Sequence, residues 1–123
     1  MKNDIVLAGV GGQGILSIAA VIGIAAVETG LFLKQSEVHG MSQRGGDVQS
    51  HLRISDKKIS SDLIPHGKAG LIIAVEPMES LRHLPWLAPG GWIITNSVPQ
   101  ININDYPQIG ELLNEIRKIR NSI

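Results

Sequence analysis

The stretch "DIVLAGVGGQGILSIAAVIGIAAVETG", Asp4 to Gly30, decides the fold. "DIVLAG" is a short run of strand formers that stops at glycine, and an apolar helical run from Gln13 to Thr29 follows at once, closed by Gly30 as a left-handed cap. Strand, tight turn and helix in that order open an α/β fold. Isoleucines, valines and alanines surround the helix on every side, so it is expected to be largely buried, with a sheet against one face and another surface against the other. "LFLKQSE", Leu31 to Glu37, then reads as a second strand, parallel to the first through a right-handed crossover.

Beyond it lies "SEVHGMSQRGGDV", Ser36 to Val48, polar and glycine-rich between two strand-like runs. "DVQSHLRIS" alternates, with Val48, Ser50, Leu52 and Ile54 on one face and Gln49, His51, Arg53 and Ser55 on the other, the pattern of a half-buried strand. "DKK" supplies a turn and "KISS" a short returning strand, which predicts an inserted antiparallel hairpin. "LIIAV", Leu71 to Val75, is a fully apolar strand, "MESLRHL" a short helix, "PGG" a turn and "WIITN" another buried strand. Asp105, Tyr106, Pro107 and Gln108 suggest an N-cap, a proline at the first helical position and a glutamine closing a capping box. Ile109, Leu112, Leu113, Ile116 and Ile119 follow at amphipathic spacing. The expected fold is α/β, a Rossmann-like three-layer sandwich with a mostly parallel sheet and the inserted hairpin, in one domain spanning 1–123. An α/β unit that closes on a helix normally runs on to another strand, so the domain is expected to be incomplete at its C-terminus.

Composition narrows the function classes. Eleven basic residues balance eleven acidic ones, so no net field gathers nucleic acid or an anionic membrane. With no cysteine, the chain has no disulfide, no thiol nucleophile and no thiolate-held zinc or iron-sulfur cluster. Ile5 to Val27 carries no charge, yet "GVGGQG" interrupts it and leaves a continuous apolar run of 13 residues, too short to span a bilayer. Asp4, the glycine cluster and Glu28 also argue against a signal peptide. The expectation is a cytoplasmic chain that engages neither membrane nor nucleic acid.

Within "GVGGQG", Gly9, Gly11 and Gly14 fit G-x-G-x-x-G after a strand and before a helix, the context of a dinucleotide fingerprint. Glycines let backbone approach an anion, and the unpaired N–H groups of the helix start favour negative charge. The fingerprint also needs an acid near the end of the second strand. Glu37 is the only candidate, and it begins a polar loop. Binding groups of a parallel sheet gather beyond its carboxyl ends, which here predicts one edge carrying Gly11, Gly12, Gln13, Gly14, Ser36, Glu37, Glu76, Asn96 and Ser97. Glu76 and Glu79 with His83 read more simply as an N-terminal acid beside Pro77 and a solvated helix face. His39, His51, His66 and His83 lack zinc-site spacing, no serine lies in a nucleophile elbow, and nothing assembles a catalytic set. The residues leave open an NAD(P)-binding Rossmann-type dehydrogenase, a protein-interaction module, and a subunit whose chemistry lies in a partner.

"GVGGQGILS", "SEVHGMSQRGGDVQSHLRIS", "LIPHGKAGLIIAVEPMESLR" and "LAPGGWIITNS" together resemble the gamma-type domain of the 2-oxoacid:ferredoxin oxidoreductases, over roughly Asp4 to Ser97. The form "EVHGMSQRGG" is most similar to the indolepyruvate branch, in its beta subunit. The resemblance implies an enzyme that decarboxylates an aryl 2-oxoacid, transfers the acyl group to coenzyme A and passes electrons to ferredoxin through the complex. It implies that thiamine diphosphate, Mg2+ and iron-sulfur clusters belong to the large (alpha) subunit, and that this chain is inactive alone; the sequence leaves its oligomeric state open, a homodimer of the isolated chain being one option. It further implies that Glu37, His39, Gln43, Arg44, Gly45 and Gly46 face the partner or coenzyme A, with Arg44 as the phosphate ligand. Such subunits usually run several tens of residues further.

Overall fold

A computed structural model describes residues 1–11, 14–39, 47–99, 105–119 and 122–123. The strands are β1 (Lys2–Val10), β2 (Phe32–His39), β3 (Asp47–Ser55), β4 (Ala69–Ala74) and β5 (Leu87–Thr95), in one sheet ordered β2-β3-β1-β4-β5. The helices are α1 (Ile15–Glu28), α2 (Pro77–Arg82), followed by a 3-10 turn at Leu84–Trp86, and α3 (Ile109–Arg117). β1 is thus the central strand. It pairs with β4 in parallel and with β3 antiparallel, and every residue from Lys2 to Val10 has a partner on β3.

The sheet is mixed and not mostly parallel. β1–β4 and β4–β5 are parallel, while β1–β3 and β2–β3 are antiparallel. Two antiparallel steps give β2 the direction of β1, as the sequence suggests, but β3 lies between them and β2 becomes an edge strand. The hairpin is therefore β2–β3, closed by residues 40–46, and no strand returns after "DKK". The short connection brings β3 beside its sequence neighbour at little entropic cost.

Flanked by two strands, β3 buries both faces, and His51, Arg53 and Ser55 are interior residues. The segment after β3 covers them as irregular chain. Arg53 donates to both carboxylate oxygens of Asp4, at 3.1 and 3.5 Å, and to the carbonyls of Ser61 and Leu63. An interior guanidinium without such acceptors would be prohibitively costly. The "KISS" segment is held as a strap by these bonds in place of a strand ladder.

Alternate residues of β1 enter two apolar clusters on opposite sides of the sheet. Val6 joins Ile64, Ala69, Ile72 and Ile93, while Leu7 joins Ile15, Ala19, Val48 and Leu52 beneath α1. α1 packs closely at Gly23, where an added Cβ would lie 3.0 Å from Leu33 Cδ2. It is not largely buried. Ile15, Ala19, Gly23 and Ala26 face the sheet, but Val21 and Ile24 are 69% and 60% exposed, and Leu16 and Val27 are also open. Nothing among the described residues covers that outer face.

β5 begins at Leu87 and runs through "PGG", which is not a turn between elements. The β4–β5 register shifts between Ala69 and Leu71, and Gly91 sits at the irregularity with the Ala69 carbonyl oxygen 3.0 Å from where a Cβ would stand. α3 starts at Ile109, later than the capping pattern suggests, with Gln108 as an N-cap that makes no side-chain bond. Leu112 and Ile116 supply its buried face as expected. Past it, Ser122 makes an isolated parallel bridge to Ile93.

Candidate functional site

The carboxyl ends of β1, β4 and β5 form one edge. The Val75 amide donates to the Ala8 carbonyl and the Asn96 amide to that of Ala74, both over 2.9 Å, so the three strand exits are held side by side. Gly11 is an exposed turn residue and Gly14 is the N-cap of α1 at φ +84°, the left-handed region that a side chain resists. The space a Gly14 Cβ would enter is open, and no acidic residue lies in the first turn of α1. Gly9 stands apart, buried inside β1 opposite Val48. Gly12 and Gln13 lie outside the described residues, as do Gln43, Arg44, Gly45 and Gly46.

Glu37 is not at the edge. It is exposed within β2, opposite Ser50, which in turn pairs with Leu7 three residues before the end of β1. A dinucleotide fold needs its acid on the strand beside β1. Here that neighbour is the antiparallel β3, so Glu37 cannot serve as the ribose ligand of the glycine turn. His39 ends β2 level with Val48 and Gly9, close to the edge.

Glu76 and Asn96 do reach the edge, but each is committed to structure. Buried Glu76 N-caps α2 by accepting the Glu79 amide hydrogen at 3.1 Å, and it also accepts the Tyr106 hydroxyl. Both burial and that hydrogen bond raise the tyrosine pKa. Asn96 donates to the Val75 carbonyl and accepts from the Val98 amide. Its amide therefore fixes the turn after β5.

The helix face expected to be solvated is buried instead. Glu79 is 0% exposed, with Arg82 Nε 2.9 Å from Oε1 as an ion pair without hydrogen-bond alignment, and neither carboxylate oxygen has a hydrogen bond among the described residues. Burial pushes its pKa up to about 7 against the pull of Arg82, with Asp47 and Glu76 adding repulsion. His83, also buried, donates from Nδ1 to the Glu79 carbonyl over 2.8 Å, and burial lowers its pKa. Tyr106, Arg82 and Asp47 thus belong to this acidic layer although the sequence reading assigned them no part in it. Only the i, i+3 spacing of Glu79 and Arg82 carried a signal; Tyr106 and Asp47 arrive from distant elements. Among the described residues the edge offers a polar, glycine-lined surface and no nucleophile–base pair.

The sequence from 4 to 120 matches the family described as pyruvate ferredoxin/flavodoxin oxidoreductase. The chain belongs to that family. Within it, the chain is 40% identical to the indolepyruvate oxidoreductase subunit IorB of Archaeoglobus fulgidus, over 97% of this chain and 61% of that protein. This member therefore spans about three fifths of the length of the relative it matches. Its fold is similar to the gamma subunit of a keto/oxoacid ferredoxin oxidoreductase from Geobacter sulfurreducens, at 25% identity and a TM-score of 0.61 over 83% of this chain and 58% of that one. It is also similar to 2-oxoglutarate:ferredoxin oxidoreductase from Magnetococcus marinus, a structure with 2-oxoglutarate, coenzyme A and succinyl-CoA bound, with a TM-score of 0.69 at 19% identity over 87% of this chain and 18% of that one. The α/β fold is thus shared with solved oxoacid ferredoxin oxidoreductase chains.

Proposed function

We propose that this chain acts as a gamma-type subunit of an indolepyruvate-class 2-oxoacid:ferredoxin oxidoreductase, supporting an active site whose catalytic groups lie in the large subunit. The observation that carries the reading is the edge itself. Gly11 and Gly14 leave the start of α1 open, while Glu76 caps α2 and Glu79 is buried on α2 against Arg82, so neither carboxylate is presented to that opening. Similarity to an indolepyruvate oxidoreductase subunit supports the substrate class.

Residues 1–123 then form one domain of the Rossmann-like, three-layer kind, with α1 and the α2–α3 pair as its helical layers. Thiamine diphosphate, Mg2+ and the iron-sulfur clusters belong to the large subunit, since this chain has no cysteine to ligate a cluster. Coenzyme A, which a fold neighbour binds, would bring an anionic thiol carrier to the shared site. Open space beside left-handed Gly14 supports this reading, since it would admit a phosphate to the α1 N–H groups, and Arg44, which lies outside the described residues, would supply the guanidinium donor. Ferredoxin meets the complex through the large subunit, in the cytoplasm.

The test is reconstitution. Chain and large subunit, mixed after separate purification, should give a dye reduction that depends on both arylpyruvate and coenzyme A, with neither component active alone. No gain over the large subunit by itself refutes the proposal.

A further inference from the structure

On the face of the sheet away from α1, a cleft of about 400 Å³ has Val38 of β2 and Gln49 of β3 as its floor, with Leu63, Ile64 and Pro65 along one side and Trp86 beside them. Small-molecule sites have volumes of this order and are mostly apolar, with a few placed polar groups. The inner end is closed. Arg53 holds the carbonyls of Ser61 and Leu63, and His51 holds the Ile64 amide, so the strap lies across β3 at these positions. Half-buried Gln49 is the next residue of that face, about 7 Å from Asp47, where β3 begins opposite Val10. The open end of the cleft therefore lies toward the edge that carries Gly11 and Gly14.

A hydrogen-bond donor is fixed in this cleft. The Ile64 amide donates to Nδ1 of His51, so that buried ring carries its proton on Nε2 and donates it to Gln49 Oε1 over 2.9 Å. This bond orients the Gln49 carboxamide, with its oxygen turned to His51 and its N–H groups turned away. Those N–H groups have no hydrogen bond among the described residues. No lysine, arginine, aspartate or glutamate is among the described residues that line the cleft. Its walls include the Trp86 indole, to which the His66 ring stands edge-on with centroids 4.5 Å apart, and aromatic walls suit a planar ring. The occupant that matches is an aromatic ring with an uncharged acceptor close to it, because a charged group would be desolvated there without a partner.

We infer that the cleft binds an aromatic ring joined through a methylene to a carbonyl, with the ring among Val38, Leu63, Pro65 and Trp86 and the carbonyl oxygen accepting from Gln49. This rests on the aryl 2-oxoacid reading above, which supplies the same group from two sources. One is the aryl 2-oxoacid itself, whose carboxylate would stay in water at the open end. The other is the acyl thioester formed when that acid loses carbon dioxide, gives its electrons to ferredoxin and passes its acyl group to coenzyme A. The thioester has no charge next to its carbonyl, as a lining without cations requires, and its carrier would leave by the open end toward the edge. A protein segment passing along β2 fits less well, since the strap closes the inner end.

The experiment titrates the isotope-labelled full chain with phenylpyruvate, phenylacetyl-CoA, pyruvate and coenzyme A, following the side-chain amide signal of Gln49 by magnetic resonance. That signal should move with at least one of the two aryl compounds, and pyruvate and coenzyme A, which lack the ring, should act on it about tenfold more weakly or not at all. Gln49→Glu keeps an oxygen for His51 and puts an acceptor where the donor stood, so aryl affinity should fall about tenfold or more with circular dichroism unchanged. Leu63→Asp, at a position 52% exposed, should lower it too, and Lys118→Glu on α3 should not. A response to phenylacetyl-CoA alone assigns the cleft to the thioester, a response to phenylpyruvate alone to the 2-oxoacid, and a response to both to the group they share. If neither aryl compound moves the Gln49 signal, or both cleft variants bind like the parent chain, the cleft assignment is wrong, and a reconstituted complex with arylpyruvate-dependent dye reduction leaves the subunit reading standing. Aryl binding by a chain whose reconstituted complex is inactive has the opposite meaning. A Gln49 signal moved by the large subunit alone, with the aryl compounds then without effect, gives the cleft to a protein segment and overturns the proposal.

Discussion

His51 accepts the Ile64 amide hydrogen at Nδ1 over 3.2 Å, and this one bond fixes the tautomer of a buried imidazole. With Nδ1 occupied as an acceptor, the proton resides on Nε2 and is donated to Gln49 Oε1 at 2.9 Å. Burial lowers its pKa, with nearby His83 acting in the same direction and Asp4 and Asp62 against it.

Stability should accordingly fall as the pH drops below the ordinary histidine value. His51 and His83 both have folded-state pKa values below 6.5, so between the folded and unfolded values the unfolded chain binds more protons and stability rises with pH. Their contribution is complete above about 6.5 and is lost in acid. Urea midpoints from pH 7 to 5 should show this decline, accompanied by a change in Trp86 fluorescence, since three imidazole rings lie 4.5 to 5.6 Å from that indole. His51→Phe should cost about 1–3 kcal/mol by stranding the Ile64 amide and flatten the slope. An unchanged slope in that variant would exclude His51 as its source.

Glu79 has the opposite sign. Its folded pKa of about 7 lies above the ordinary glutamate value of 4.5, so the folded state holds the extra proton and stability is lost as pH rises from 4.5 through 7. Glu79→Gln should stabilise the chain at pH 8, by at most on the order of 3 kcal/mol, and have little effect at pH 5. Thermal melts at the two pH values decide it, and equal effects at both would show that the carboxyl does not titrate in this range.

Asp4 and Arg53 link β1, β3 and the strap at 59–64. Removing one partner leaves an uncompensated interior charge, so Asp4→Asn should cost about 3–5 kcal/mol, and Asp4→Leu with Arg53→Met should recover much of it. Denaturant titration measures both. A double variant as unstable as the single would locate the loss in the bonds from Arg53 to Ser61 and Leu63.

Gly91→Ala should destabilise more than Gly70→Ala, although both lie at the β4–β5 pairing. At Gly91 the new methyl meets Leu87 Cδ1 at 2.7 Å and two carbonyl oxygens at 3.0 Å, and backbone cannot yield cheaply, whereas at Gly70 nothing lies within 4 Å. A cost of about 1–3 kcal/mol is expected for the first. Equal melting temperatures for the two variants would contradict the crowding.

What the sequence made legible was local. The β1–turn–α1 unit, β4 and the buried face of α3 follow from runs of apolar residues and their period. The place of β3 did not, because alternation in "DVQSHLRIS" reports that one face is apolar and says nothing of which strands lie alongside. His51 and Arg53 read as solvent-facing because their burial depends on partners that local pattern does not reveal: the Ile64 amide for His51, and for Arg53 the carbonyls of Ser61 and Leu63 and the carboxylate of Asp4, which lies opposite it only once β1 pairs with β3. The site divides the same way. Gly11, Gly14, Glu76 and Asn96 were placed on a common edge by strand ends alone, while the misplacement of Glu37 follows directly from the missed insertion of β3. The exposed outer face of α1 was read as buried since composition records the need for cover and not who supplies it.

The last prediction separates a ligand-binding loop from a purely adhesive one. Arg44 lies outside the described residues, in the connection between β2 and β3, whose ends at His39 and Asp47 flank the edge near Val10. A guanidinium there can make paired, charge-assisted bonds to a phosphate that lysine reproduces only as a point charge. In the reconstituted complex, Arg44→Ala should raise the apparent KM for coenzyme A about tenfold or more while association with the large subunit and KM for the 2-oxoacid stay put. Arg44→Lys should recover only part of the loss. A module that merely adheres gives the reverse, with weaker association at unchanged coenzyme A dependence. Because association and coenzyme A saturation are measured on the same preparation, the two outcomes cannot be confused.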